Sequence, residues 1–121
     1  MIAVQVTGGA RGLGRELCCR FAEEGASVAV VDIEDAGSKE TVEMLKNCSP
    51  NSVVKMYHCN ICSTEEIRQL HQQVKRDFGP VDILVNNAGT VVSSSLLDTD
   101  DKYMDLMVDL NLKAHFKVSF G

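Results

Sequence analysis

The chain has 121 residues, 45% hydrophobic and 24% charged, an ordinary globular composition that fits one domain over residues 1–121. A net charge of -5 with scattered Lys and Arg leaves no basic stripe for phosphates, which argues against nucleic acid. No apolar run nears membrane-spanning length and Met1-Ile2-Ala3-Val4 is no secretory leader, so the cytoplasm or the cytosolic face of a membrane is expected.

Ile2 to Thr7 reads as a first strand. A helix is predicted from Gly12 to Glu24, with Leu13, Leu17 and Phe21 four apart on one face and Gly25 suited to cap its end. Ser27 to Asp32 is a second strand. Its Val28-Ala29-Val30-Val31 is apolar on both faces, as in a parallel strand covered by helices on both sides. A polar helix is predicted from about Ser38 to Asn47. The turn Ser49-Pro50-Asn51-Ser52 and a third strand, Val53 to His58, follow. Ser63-Thr64-Glu65-Glu66 has the spacing of a capping box, with Ser63 as N-cap and Glu66 reaching back. The helix it opens carries Ile67, Leu70, Val74 and Phe78 on one face, and Gly79-Pro80 stops it. Val81 to Val85 is a fourth strand, closed by Asn86-Asn87-Ala88-Gly89. After Ser93-Ser94-Ser95 a last helix runs from about Asp100 to Lys117.

Strand and helix alternate, which implies a parallel sheet with right-handed crossovers. The expected fold class is α/β: a doubly wound, Rossmann-like sheet that stops after its fourth strand and the helix following it. The fourth strand then lies at an edge, apolar and open to pairing.

The five cysteines, Cys18, Cys19, Cys48, Cys59 and Cys62, are an odd number without a leader, which suggests free thiols in a reducing compartment. Cys59-x-x-Cys62 beside His58 has no second ligand pair to complete a tetrahedral site, so no metal is expected.

The segment Gly8-x-x-x-Gly12-x-Gly14 lies between a strand and a helix. A pyrophosphate needs several backbone N–H donors at close range, which side chains would block, and the helix N-terminus adds unpaired donors and a positive dipole end. A glycine-rich turn without a ligand is the alternative. Asp32 ends the second strand about 20 residues after Gly12, where a ribose-reading carboxylate is expected. It would accept hydrogen bonds from ribose hydroxyls and repel a 2′-phosphate, favouring NAD over NADP. Arg11 pulls the other way, since a basic residue in the turn could pair with that phosphate.

Thr7-Gly8-x-x-x-Gly12-x-Gly14 and Asn86-Asn87-Ala88-Gly89, in this order with an aspartate between, resemble the N-terminal half of the short-chain dehydrogenase/reductase family over essentially residues 2 to 117. The resemblance implies cofactor contacts at Gly8, Arg11, Gly12, Leu13, Gly14 and Asp32. It implies adenine contacts at Asn60 and Ile61, and ribose contacts near the nicotinamide at Asn87, Ala88 and Gly89, with Asn86 supporting the sheet. Asn111 matches the asparagine of the family's Asn-Ser-Tyr-Lys set, or is a polar residue on a helix face. The stretches Gly9 to Leu17 and Lys113-Ala114-His115-Phe116 are similar to the retinol and hydroxysteroid branch, which implies lipophilic alcohols and ketones as substrates.

The family's proton transfer uses a tyrosine with a lysine four residues later, whose charge brings the tyrosine's pKa down from near 10. Here Ile61 follows Tyr57 at that spacing and Met107 follows Tyr103, and Ser93 to Ser95 do not fall where the family's serine does. The chain is therefore expected to bind cofactor and to be catalytically incomplete. The residues after Lys117 are expected to be foreign to the family, since Val118-Ser119 is what read-through of a splice donor often encodes. Three readings stand at this point: an incomplete oxidoreductase, an interaction module that dimerises through the last helix, and a fragment with no stable function.

Overall fold

The computed structural model describes residues 2–88 together with 118 and 119. In chain order the elements are β1 (Ala3–Thr7), α1 (Gly12–Glu23), β2 (Ser27–Asp32), α2 (Asp35–Cys48), β3 (Val54–His58), α3 (Thr64–Phe78) and β4 (Ile83–Asn86). The four strands are parallel in the order β3-β2-β1-β4.

Alternate residues of each strand feed two cores, as a period of two requires. On one face Val4, Val6, Val28, Val30 and Val54 meet Cys18 and Ala22 of α1 and Val42 and Leu45 of α2. On the other face Ala29, Val31 and Tyr57 meet Ile67, Leu70 and Val74 of α3, together with Val118. Val28 and Val30 are fully buried, a state worth roughly 1.5–3 kcal/mol each relative to exposure. The doubly wound sheet read from Val28 to Val31 is therefore present.

This topology positions a site. The chain steps from β1 to β2 to β3 with α1 and α2 on one face, then crosses by α3 on the other face to β4, on the far side of β1. Right-handed crossovers demand that change of face when the direction reverses. The strand order thus reverses between β1 and β4, and the crevice at the carboxyl end of such a switch point is where open α/β sheets take ligands.

Four local features differ from expectation. The Leu13-Leu17-Phe21 stripe is only the margin of the packing face of α1: Leu13 is 67% exposed and Leu17 half-buried, Phe21 packs against the core from its edge, and Gly14, Cys18, Cys19 and Ala22 are the buried residues. Small residues face inward because the helix approaches the strand-end turn too closely for leucines. Helix α2 begins at Asp35, three residues early, with Gly37 buried against the turn. Strand β4 starts at Ile83 because Asp82 hooks the start of β1: its carboxylate accepts the Ala3 N–H at 2.8 Å and its own N–H donates to the Ala3 carbonyl at 2.9 Å. The capping box is half formed. Ser63 Oγ accepts the Glu66 N–H at 3.3 Å, while the Glu66 carboxylate reaches past Ser63 to the N–H of Asn60 at 3.2 Å.

Among the described strands β4 lies at an edge, with Ile83 exposed and Leu84 and Val85 half-buried. No described helix is long and apolar enough to cross a membrane.

Candidate functional site

The turn after β1 is shaped by backbone contacts. The N–H groups of Gly8 and Gly9 both point to the Val31 carbonyl of β2, at 2.8 and 3.3 Å. Gly8 and Gly12 take φ of +74° and +60°, a region that L side chains rarely enter. At Gly14 the restriction is steric: a Cβ there would lie 1.9 Å from the Gly8 carbonyl oxygen. Arg11, just before α1, is extended, and its side chain makes no capping hydrogen bond. The first donors of α1 are thus open to a ligand, unlike those of α3, which Ser63 serves.

Asp32 closes one side of this turn. Its Oδ2 accepts the N–H of Ala10 at 3.1 Å and its Oδ1 accepts the N–H of Glu34 at 3.0 Å. Each carboxylate oxygen holds one donor and keeps capacity for another. Beside it the Arg11 guanidinium pairs with the Glu34 carboxylate at 3.2 Å. Ile33, next along, is exposed although large and apolar, as is Leu13 across the turn. Sequence reasoning passed over Ile33, which carries no signal except its place after Asp32.

A clasp behind the turn was also invisible in the sequence. Arg15 Nε donates to the Thr41 hydroxyl at 2.9 Å, and that hydroxyl donates to the Gly9 carbonyl at 2.8 Å. The Arg15 guanidinium also reaches the carbonyls of Ala10 and Gly37 and the Glu40 carboxylate. Gly37 lets α2 come this close, since a Cβ there would meet the Ala10 carbonyl oxygen at 2.8 Å. The carbonyls of Gly9 and Ala10 are thus satisfied from behind by α2 and α1.

The end of β4 completes the crevice. Thr7 Oγ1 accepts the N–H groups of Asn87 and Ala88, each at 3.1 Å, and donates to the Val85 carbonyl at 3.3 Å. The side chain of Asn87 donates to the Gly8 carbonyl at 3.3 Å, so it braces the turn. That of Asn86 donates to Ser119 at 2.9 Å. Gly8, Gly12, Gly14, Asp32, Asn87 and Ala88 are therefore gathered at one end of the sheet.

Asn60 and Ile61 follow β3 at the same end. Asn60 is held in a local turn, its Oδ1 accepting the Cys62 N–H at 3.0 Å. The side chain of Ile61 is buried in the core beside α3, so only its backbone faces outward chemistry. Gly89, Asn111 and the last helix lie outside the described residues.

Other reactive groups are committed elsewhere. Tyr57 donates to Asp77 at 2.6 Å, and burial together with that bond pushes its pKa far above the ordinary value, unsuited to proton transfer near neutral pH. Burial pushes the Cys18 thiol up to about 12 and the Cys59 thiol up to about 11. All five cysteines are free thiols. Among the described residues no three His, Cys, Asp or Glu side chains converge as metal ligands.

The short chain dehydrogenase family pattern matches residues 2–120. The chain belongs to the short chain dehydrogenase family. The match runs past Lys117, and Val118 is buried in the core, so the tail conforms to the family where the sequence suggested foreign residues. Among curated relatives of this short chain dehydrogenase, epidermal retinol dehydrogenase 2 of Homo sapiens is 38% identical over 112 residues, which cover 93% of the chain and 36% of the relative. Among solved structures, L-sorbose reductase of Gluconobacter frateurii, complexed with NADPH and L-sorbose, superposes with a TM-score of 0.92 at 26% identity, covering 99% of the chain and 45% of its own. An NAD+-bound xylitol dehydrogenase gives a TM-score of 0.92 at 25% identity, with 98% and 45% covered. The chain thus spans less than half the length of each.

Proposed function

We propose that the chain is the dinucleotide-binding part of an NAD(P)-dependent oxidoreductase, with NAD as the preferred cofactor. The observation that carries this reading is the Ala10 N–H to Asp32 contact, which sets a ribose-reading carboxylate against a glycine turn with open helix donors. The donor set fits a dinucleotide: backbone N–H groups near Gly12, Leu13 and Gly14 for the pyrophosphate, Asp32 for the adenosine ribose, Asn60 and Ile61 for the adenine. Asn87, Ala88 and Gly89 would face the nicotinamide ribose. The open capacity of Asp32 suits two hydroxyls better than a phosphate dianion, and Arg11 is already paired with Glu34. When bound, the cofactor supplies the hydride donor or acceptor.

The substrate class we propose is a lipophilic alcohol or ketone of retinoid or steroid type, supported by the retinol dehydrogenase likeness. These 121 residues contain no Tyr-x-x-x-Lys. The reading for this chain is therefore cofactor binding, with Asn111 as its one candidate for the proton relay.

The test is a titration of the chain with NADH, followed by nicotinamide fluorescence and by thermal unfolding. A saturable signal and an upward shift of Tm that grows with NADH concentration are expected. A flat titration up to millimolar NADH, on protein that unfolds cooperatively, would falsify the reading.

A further inference from the structure

The turn and the start of α2 carry two guanidinium groups and three carboxylates within one cluster. Arg15 is drawn inward, shared between carbonyls and Glu40 at 3.2 Å. Arg11 is outward: its side chain is 78% exposed, and among the described residues its ion pair is with Glu34 Oε2 at 3.2 Å. Glu34 is itself anchored, since its backbone N–H donates to Asp32 Oδ1 at 3.0 Å. Asp32 and Glu34 thus act from one short segment, the first at the candidate ribose position and the second on the cation beside it.

We propose that Glu34 determines cofactor preference by holding Arg11, so that the turn's outward cation is unavailable to a 2′-phosphate. This inference rests on the dinucleotide reading above and deepens it. A phosphomonoester carries nearly two negative charges at neutral pH and is best held by a bidentate guanidinium. With Glu34 in place, a 2′-phosphate would meet Asp32 and Glu34 together and would have to pull Arg11 from its partner. With Glu34 neutral, Arg11 can swing on its long stem towards the phosphate while Asp32 still accepts from the remaining hydroxyl. Discrimination then comes from two acidic residues with separate tasks, one repelling the phosphate and one removing its counter-charge.

The experiment compares NADH and NADPH by nicotinamide fluorescence on the full chain and on Glu34→Gln, Arg11→Ala and the double variant. An exposed ion pair is worth at most about 1 kcal/mol, so Glu34→Gln is expected to lower the Kd for NADPH about three- to fivefold. The Kd for NADH should stay within about twofold. The gain should vanish in the double variant and shrink in about 0.5 M salt, which screens exposed charges. An unchanged NADPH to NADH ratio in Glu34→Gln, or a gain that persists without Arg11, overturns the proposal while leaving the dinucleotide reading intact. If the unaltered chain binds neither nucleotide, both fall.

Discussion

The backbone N–H of Ala10 donates to the carboxylate of Asp32 across 3.1 Å, and this contact joins the glycine turn to the end of β2. One side chain therefore shapes the turn and also keeps lone pairs for a sugar. Asp32→Ala is expected to lose about 1–3 kcal/mol in urea unfolding, from donors left without an acceptor. It should weaken NADH binding at least about tenfold, equivalent to losing one charge-assisted hydrogen bond. Asp32→Asn separates the two effects, since its amide oxygen can still serve Ala10 while the charge is gone.

Glycines of the turn should respond differently to alanine. At Gly14 the new Cβ would overlap the Gly8 carbonyl oxygen, so α1 must move away from the sheet. A loss of about 3 kcal/mol, the upper part of the range for overpacking, is expected in chemical unfolding. At Gly12 no atom lies within 4 Å of the added Cβ, and the penalty is that of the left-handed backbone alone, about 1–2 kcal/mol. Equal losses at the two positions would contradict this distinction.

Acid stability should report the Tyr57–Asp77 pair. The Tyr57 hydroxyl first, then the Arg76 guanidinium at 3.1 Å, hold the Asp77 carboxyl down at about 2, against an ordinary 3.8. A group with a lowered folded pKa contributes stability above its unfolded value and loses it as pH falls through the folded one. The contribution is thus complete above about pH 4 and gone by about pH 2. Asp77→Asn and Tyr57→Phe should each lower the thermal midpoint at pH 7 and converge with the parent chain near pH 2. A constant difference across that window counts against the assignment.

Thiol labelling should follow burial. Cys48 is exposed and is expected to react first with an aromatic disulfide reagent at pH 8. Cys18 and Cys59, buried and with raised pKa values, should react only as the chain unfolds. Mass spectrometry of the first labelled peptide decides the order.

What the sequence made legible was local or periodic. Gly8, Gly12, Gly14 and Asp32 stand at fixed offsets from a strand, so their meeting could be read from spacing. The run Val28 to Val31 announced burial on both faces because no polar residue interrupts it. The clasp of Arg15 and Thr41 left no such mark, being a contact between two helices 26 residues apart in sequence. The face of α1 is legible only in part, at Phe21, for a related reason. Leucines four apart suggested the core, but the Gly8 carbonyl excludes any side chain at Gly14, and that restriction belongs to the turn, not to the helix. Glu34 carries no mark in the sequence either, and its place beside Arg11 is a product of the fold.

Thr7 draws in the N–H groups of Asn87 and Ala88 from 80 and 81 residues away, whereas its strand neighbour in β2 is only 24 residues distant (Thr7 beside Val31). Closing the longer loop costs more chain entropy and yields its contacts later, so β4 is the slow strand to dock. Until it does, the Gly8 carbonyl lacks Asn87 and one wall of the crevice is missing. During synthesis, a nascent chain can therefore shelter the valines beneath α1 and α2 long before it has anywhere to put a nucleotide, and the onset of binding would mark the completion of the sheet.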